Sequence, residues 1–412
     1  MRVDLPSRRA DIDWLRIFAC YLLFLFHGAL VFAPTPFYHV QNAESSLVFA
    51  VLVGFISLWH MPLFFLLAGW SAFQSLSSRG ARGFGAERLA KLALPLIAIC
   101  TLFGPLIKFF ELRSGFDANY LGLHVSPFWV ERYRTLIGAE LPLMRPFDES
   151  FLSFWPTYFT HLDRFTWSHL WFVAYLFVFS LLYLPLMLRI VRSRLRIERV
   201  GALWVFAPIV PLAVIQVTLR PHYPGLQTLW SDWANFAYYS VYLLLGFAMA
   251  RFPACEQALQ RQWRRALLVA LATMLFLLGS VLGLVHSQPL ILAGTAVAGW
   301  CFVVALLGFA NERLASSTRG LPALSESAYP VYLLHQPAIV LLAVLLVPLS
   351  MSLWLKFVLL LAGSVSLTLV VYHGLVRRVG FLRLLHGMKP RTAPRAEGGR
   401  MRPGALVAGV ER

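Results

Sequence analysis

The stretch DIDWLRIFACYLLFLFHGALVFA, Asp11 to Ala33, decides how the rest of the chain is read. From Ile17 to Ala33 it is almost wholly apolar, and its one basic side chain there is His27. A helix of roughly 20 such residues crosses a bilayer. Arg8, Arg9 and Arg16 come before it, as they would in a secretory leader. The apolar part, however, is longer than a usual leader core and has no small-x-small cleavage site. It reads as an uncleaved first membrane helix.

Working outward, the whole chain has the same character. Its 412 residues are 59% hydrophobic and 13% charged, against about 25% charged in a soluble domain, and its mean hydropathy is +0.68. One water-soluble core cannot hide that surplus, so it must face lipid. Ten apolar segments are expected to span, approximately 14–34, 47–76, 88–109, 169–188, 200–219, 234–250, 266–285, 289–310, 328–348 and 354–376. Strand alternation is absent, which argues against a membrane barrel. The fold class is therefore all-α: a polytopic membrane protein of about ten transmembrane helices.

The net charge of +17 does not point to nucleic acid, because the positive charges fall in short loops between apolar segments. Of 36 Lys and Arg, 28 lie on the N-terminal side of alternate loops and 8 on the other. By the positive-inside rule both termini are cytoplasmic, in a multi-pass protein of the cell (inner) membrane. Cys20, Cys100, Cys255 and Cys301 have neither metal nor redox spacing. No ligand spacing supports a metal site.

Residues 1–376 form the transmembrane domain, including an external segment 111–167 rich in aromatics such as Phe128, Trp129, Phe154, Trp155 and Phe159. These suit either stacking on sugar rings or an interfacial belt. Residues 377–412 are basic with Pro and Gly, and read as a disordered cytoplasmic tail on anionic lipid. No internal repeat of the transporter kind is visible.

The chemistry starts from Arg16 and His27. Eleven residues make three helical turns plus about 20°, so the two share a face about 16 Å apart, with Asp13 near it. An imidazole in the membrane is costly unless it meets a polar cavity or a partner, which makes His27 a functional candidate. Its alternative is a histidine tied to a neighbouring helix; that of Arg16 is a positive-inside anchor.

Asp13-Trp-Leu-Arg16 with His27 resembles the first helix of acyltransferase family 3, the integral-membrane O-acyltransferases of bacterial envelopes. The resemblance continues in Met61-Pro-Leu-Phe-Phe-Leu-Leu-Ala-Gly69-Trp70 and in Arg88-Leu-Ala-Lys91 followed by Pro95. It runs on through Ser168-His169-Leu-Trp171-Phe172 and Tyr329-Pro-Val-Tyr332-Leu-Leu-His335-Gln336-Pro337, covering roughly 11–376. It implies transfer of an acyl group from cytoplasmic acyl-CoA (succinyl-CoA or acetyl-CoA) to a hydroxyl of an extracytoplasmic envelope glycan. A narrower likeness in His39 to Leu47 and Ser168 to Phe172 implies succinylation of periplasmic glucans.

On this reading Arg16, Arg88 and Lys91 hold the donor's phosphates. The family often has Arg where Lys91 stands, which keeps the charge but loses a bidentate contact. His27 acts as general base toward the acceptor hydroxyl or carries the acyl group itself. Glu44, in the short external loop, is a candidate to orient His27, or else a solvated carboxylate. His60, before a kink at Pro62, either binds the acyl group's far end or packs. Tyr332 and His335, expected in the cytoplasmic third of the ninth helix, line the donor pocket or tie helices together. His169 and Trp171 bind the acceptor or belong to an aromatic belt. No soluble catalytic motif competes. A rival from another class is a transporter or flippase for a glycan, lipid or small solute, which would leave the cations below His27 without a task. Lipid surrounds the protein, and the sequence is silent on oligomeric state.

Overall fold

A computed structural model describes residues 9–34, 38–114, 116–117, 122–123, 147–161, 164–223, 225, 227–229 and 232–389. Apart from turns these are helical, save one antiparallel pair of two-residue strands, β1 (Phe116–Asp117) and β2 (Gly122–Leu123). The first helix, α1 (Ala10–Leu30), opens with Asp11 and Asp13 in its first turn, where carboxylates complement the helix dipole. It stops at Leu30, short of the expected 34.

Ser46 caps α2 (Leu47–Arg88) by accepting the Val48 N–H. A π-helical turn, Leu89–Ala93, joins it to α3 (Leu94–Arg113). The break expected between the segments 47–76 and 88–109 is therefore replaced by helix, and Leu47–Arg113 is one helical run of 67 residues. At 1.5 Å per residue that is about 100 Å, over three times an apolar layer of about 30 Å. The run is broken at Gly80, whose φ of 68° is natural only for glycine.

Proline breaks two further expected spans. The segment expected over 169–188 begins with a 3₁₀ turn (Ser168–Leu170) and divides into α5 (Trp171–Leu182) and α6 (Leu184–Arg192), bent by 57° ahead of Pro185. That expected over 200–219 divides at Pro208 into α7 (Ala202–Phe206) and α8 (Ile209–Leu219). Ahead of both in the chain, α4 (Phe151–Thr160) lies against α3. The remainder comprises α9 (Trp233–Arg251), α10 (Pro253–Val281), α11 (Gln288–Arg313), α12 (Leu321–Leu346), α13 (Leu353–Val371), a π-helical turn (Tyr372–Val376) and α14 (Gly380–Leu385).

Among the described residues, 7 helical runs are long and apolar enough to cross a membrane, with Leu47–Arg113 and the α7–α8 run Ala202–Leu219 each counted once, or 8 if the bent α5–α6 pair is one span. The chain is thus a polytopic helical membrane protein. The segment expected over 234–250 is helical as α9, but Asn235, Tyr238, Ser240 and Tyr242 dilute its apolar character. The tail expected to be disordered from 377 opens as α14, where Arg383 is buried and donates to Glu326 at 3.0 Å. Residues 390–412 lie outside the described part.

At the centre, α1 runs parallel to α12. Ser325 meets Asp13 at 3.3 Å near the start of both helices, and the His27 and His335 rings meet 5.2 Å apart further on. Around this pair pack α2, α11 and α13, and α9 lies along α2. The α2–α9 contact is close because both sides present glycine. A Cβ on Gly69 would strike the Leu243 carbonyl, and one on Gly246 the Leu66 carbonyl. Small residues that let backbones touch are the usual means of joining helices in lipid.

This contact predicts the effect of two substitutions. Gly246→Leu should destabilise the protein in detergent by roughly 1–3 kcal/mol or more, the cost of overpacking. Gly54→Ala, with nothing within 4 Å of the new methyl, should leave the thermal midpoint unchanged.

Candidate active site

Three imidazoles stand in a row where α1, α12 and the turn before α5 converge. His27 on α1 is 5.2 Å, ring to ring, from His335 on α12, and His335 is 5.0 Å from His169. Tyr38 stacks on His27 at 5.8 Å, and its hydroxyl donates to Gln336 Oε1 at 3.2 Å. His335 and His169 each commit one nitrogen to a backbone carbonyl: His335 Nδ1 to Tyr332 at 2.5 Å and His169 Nε2 to Leu333 at 3.2 Å. A carbonyl only accepts, so those nitrogens carry the proton in the neutral rings. His335 Nε2 and His169 Nδ1 are then lone-pair acceptors. Both, like His27 Nδ1, are buried without a hydrogen-bond partner among the described residues.

The sequence explains why His169 is held there. Proline has no N–H, so Pro337 leaves the carbonyl four residues earlier without its helical donor. That carbonyl is Leu333, and His169 Nε2 takes it. The residue before Leu333, Tyr332, donates its hydroxyl to the His169 carbonyl at 2.7 Å. Two residues of the Tyr329-to-Pro337 motif thus clamp His169 from both ends.

Other candidate residues sort by location. His335 was expected in the cytoplasmic third of its helix, but α12 begins at Leu321 rather than 328, so His335 reaches the depth of His27. Tyr332 shares this cluster and is equally buried. His60 donates Nε2 to the Ala19 carbonyl at 2.8 Å, tying α2 to α1, with its ring stacked 6.4 Å from Phe26. Trp171 is buried among Phe65, Tyr175 and Tyr239. Neither His169 nor Trp171 lies in a surface belt, since both face the helix core.

The cations expected to act together do share one side, that of the α1 N-terminus. Arg16 bonds Asp13 at 3.4 Å and donates to Ser71 on α2. One turn along α2, Ser75 donates to Glu87, which also holds Lys91 at 2.8 Å and lies 3.7 Å from Arg88. The Arg88 guanidinium lies 4.6 Å over the Phe84 ring, and its Nε has no partner among the described residues. Ser71, Ser75 and Glu87, which link these cations, carry no signal in the sequence that marks them.

At the opposite end of α1 the expected partner of His27 is not where the sequence suggested. Glu44 is exposed, and only its backbone carbonyl is bonded, by Asn42 Nδ2 at 2.8 Å. A carboxylate that stays in water avoids desolvation, so a loop glutamate without a cation remains outside. A buried carboxylate close to the His27 end of α1 is Glu111. Its Oε1 accepts from Lys108 Nζ at 2.7 Å and its Oε2 from His39 Nδ1 at 2.5 Å, and His39 Nε2 meets Ser168 Oγ at 3.2 Å. The signal that could have found it is the Lys108–Glu111 spacing, one helical turn inside an otherwise apolar helix.

Of the external aromatics, Phe128, Trp129 and Tyr133 lie outside the described residues. Phe154 and Tyr158 are core residues of α4 packed on Phe109, not open platforms, whereas Trp155 and Phe159 are exposed.

These features belong to a recognisable class. The family model described as "Acyltransferase domain" matches residues 9–373, and the chain belongs to that family: it is a membrane acyltransferase. Among curated proteins it is similar to "Glucans biosynthesis protein C" of Escherichia coli K12, 22% identical over 404 residues, covering 93% of this chain and 95% of the relative. The same figures hold for the proteins of that name from E. coli O81 (strain ED1a) and O9:H4 (strain HS). No solved structure matches it.

The buried Lys108–Glu111 pair predicts an asymmetric mutational response. Removing one member of such a pair costs about 3–5 kcal/mol, because the other charge stays buried. Lys108→Met should therefore destabilise the protein more than Lys108→Met/Glu111→Leu does. Thermal unfolding of the two variants in the same detergent measures the difference.

Proposed function

We propose that this enzyme takes an acyl group from cytoplasmic acyl-CoA and transfers it to a hydroxyl of an extracytoplasmic glycan, with succinylation of periplasmic glucans as its most specific form. The observation that carries this reading is the placement of His27. It lies about 25 Å along α1, in contact with His335, while Arg16, Arg88 and Lys91 gather at the start of the same helix. The asymmetry of 28 basic residues against 8 supports assigning that end, and both termini of the proposed ten-helix bundle, to the cytoplasm of an inner-membrane protein.

The donor's phosphates would be held by the guanidiniums of Arg16 and Arg88 and by Lys91, in part displacing the contacts these make to Asp13 and Glu87. A pantetheine arm then delivers the thioester toward the row of imidazoles. There His27 acts as base toward an attacking hydroxyl or carries the acyl group on its ring. Tyr332 and His335 line the donor end; His169, His60 and Trp171 complete the pocket walls. The narrower choice of succinyl donor and glucan acceptor rests on the name of the E. coli relatives together with the residues at His39 to Leu47 and Ser168 to Phe172.

Two variants test the two ends. His27→Ala, inserted at normal levels, should lower acyl transfer to purified envelope glycans by about a hundredfold or more, the usual contribution of a positioned base. Unchanged transfer would remove His27 from the chemistry. Arg88→Ala should raise the KM for acyl-CoA roughly tenfold with little change in kcat, and an unchanged KM would place the phosphates elsewhere.

A further inference from the structure

Beside the imidazole row lies a second constellation with its own logic. Three side chains far apart in sequence meet there: His39 in the loop after α1, Glu111 near the end of α3, and Ser168 in the turn that opens α5. We propose that Ser168 is a nucleophile, His39 its base and Glu111 the carboxylate that orients the base, and that Ser168 Oγ carries the acyl group as an ester between donor and acceptor. This rests on the acyl-transfer reading above and replaces its open choice of base and carrier: His39 takes the base's part, Ser168 carries the group, and His27, separated from His39 by the Tyr38 ring, lines the path by which the thioester arrives.

The hydrogen bonds set the direction. The Glu111 carboxylate only accepts, so His39 donates through Nδ1 at 2.5 Å, and in the neutral ring Nε2 keeps its lone pair. Ser168 Oγ lies 3.2 Å from that nitrogen and can donate to it. This is the sequence of contacts by which a hydroxyl is activated: nucleophile to base, base to orienting carboxylate. Lys108, fully buried with Glu111 and 2.7 Å from it, supplies the countercharge that lets the carboxylate stay ionised away from water. Ser114 Oγ donates to the His39 carbonyl at 2.5 Å and fixes the backbone that bears the base.

Ser168 itself is set apart by its backbone. Its φ is 46°, in the left-handed region, and its N–H donates to Thr166 Oγ1 at 3.0 Å. Such a conformation in a residue with a side chain costs energy, and clusters at sites where it aims a reacting group. A hydroxyl needed only to tie a loop would not require it. Ser168 stays partly accessible while His39 and Glu111 are buried. It directly precedes His169, the third ring of the row, and Tyr38 lies between the two constellations, 5.8 Å from the His27 ring and 5.2 Å from that of His39. Trp167, the residue before it, has a buried indole N–H with no partner among the described residues.

The chemistry balances without a further reagent. Ser168 Oγ attacks the thioester carbonyl and its proton passes to His39 Nε2. The C–S bond breaks, and the departing thiolate takes that proton, leaving an ester on Ser168. An acceptor hydroxyl then attacks the ester and gives its proton to His39 Nε2. The C–Oγ bond breaks, and Ser168 Oγ recovers the proton.

The test uses the full chain in detergent and a fluorophosphonate probe, which reacts with an activated serine and needs neither donor nor acceptor. Ser168 should be phosphonylated, as located by peptide mass spectrometry, and His39→Gln should slow labelling about tenfold or more. As a positioning change, Glu111→Gln should slow it too, with part of the rate regained in Glu111→Asp. Acyl transfer by Ser168→Ala should fall about a hundredfold or more. An unlabelled Ser168, or a labelling rate indifferent to His39→Gln, overturns the proposal. Transfer that survives Ser168→Ala also overturns it, and leaves the acyltransferase reading standing. Should Ser168→Ala fail to fold, the labelling rates decide. Because labelling is independent of the substrates, it reports on the nucleophile even if the donor and acceptor assigned above are wrong.

Discussion

An imidazole inside hydrocarbon must find hydrogen-bond partners or a polar space, because each unsatisfied polar group there costs several kcal/mol. Much of this structure follows from meeting that demand for His27, His335 and His169. Two parallel helices, α1 and α12, bring the first two rings together, and a proline on α12 releases the carbonyl that holds the third. Each of the latter two rings satisfies one nitrogen with backbone and keeps the other uncommitted. A core built only for stability would have used apolar side chains in these positions, since a well-packed apolar group needs no partner. The polar cluster is the part of the bundle that packing alone does not explain.

The two ends of α1 solve different electrostatic problems. At its start, cations outnumber carboxylates and are held loosely: Arg16 by Asp13 and Ser71, Arg88 and Lys91 by the one carboxylate of Glu87. That excess suits a polyanionic donor. At its far end the charged groups are buried and bonded within the protein, with Lys108 facing Glu111 and Lys356 donating to Asn42 and the Val347 carbonyl. Such an arrangement holds side chains in place. An enzyme that draws a charged donor to one side and handles an uncharged hydroxyl on the other has use for this polarity.

The helical membrane class was legible because apolar runs of membrane length, repeated along one chain, can be stable only in lipid. The Arg16–His27 alignment was legible too, since α1 is unbroken and helical phase is then arithmetic. What could not be read were the places where a helix departs from regularity. Gly80 turns an apparent loop into two helical arms, and Pro185 and Pro208 divide what hydropathy joins. The depth of His335 was misjudged because the apolar run of α12 starts after its helix does. The His39–Glu111–Ser168 contacts were hidden for another reason: they join residues 72 and 129 positions apart, and no local pattern announces them. Glu44 stands in the short external loop among polar residues, and that setting is a poor guide to a partner for His27 when burial of a carboxylate requires a cation alongside.

The central claim is that the acyl group crosses the membrane at His27. Proteoliposomes with labelled acyl-CoA confined to the side of the α1 N-terminus and a glucan acceptor sealed on the other test it most directly. The account predicts labelled glucan in the acceptor compartment, with none formed when donor and acceptor compartments are exchanged relative to the protein. Acylation that occurs only when donor and acceptor share one side would contradict it.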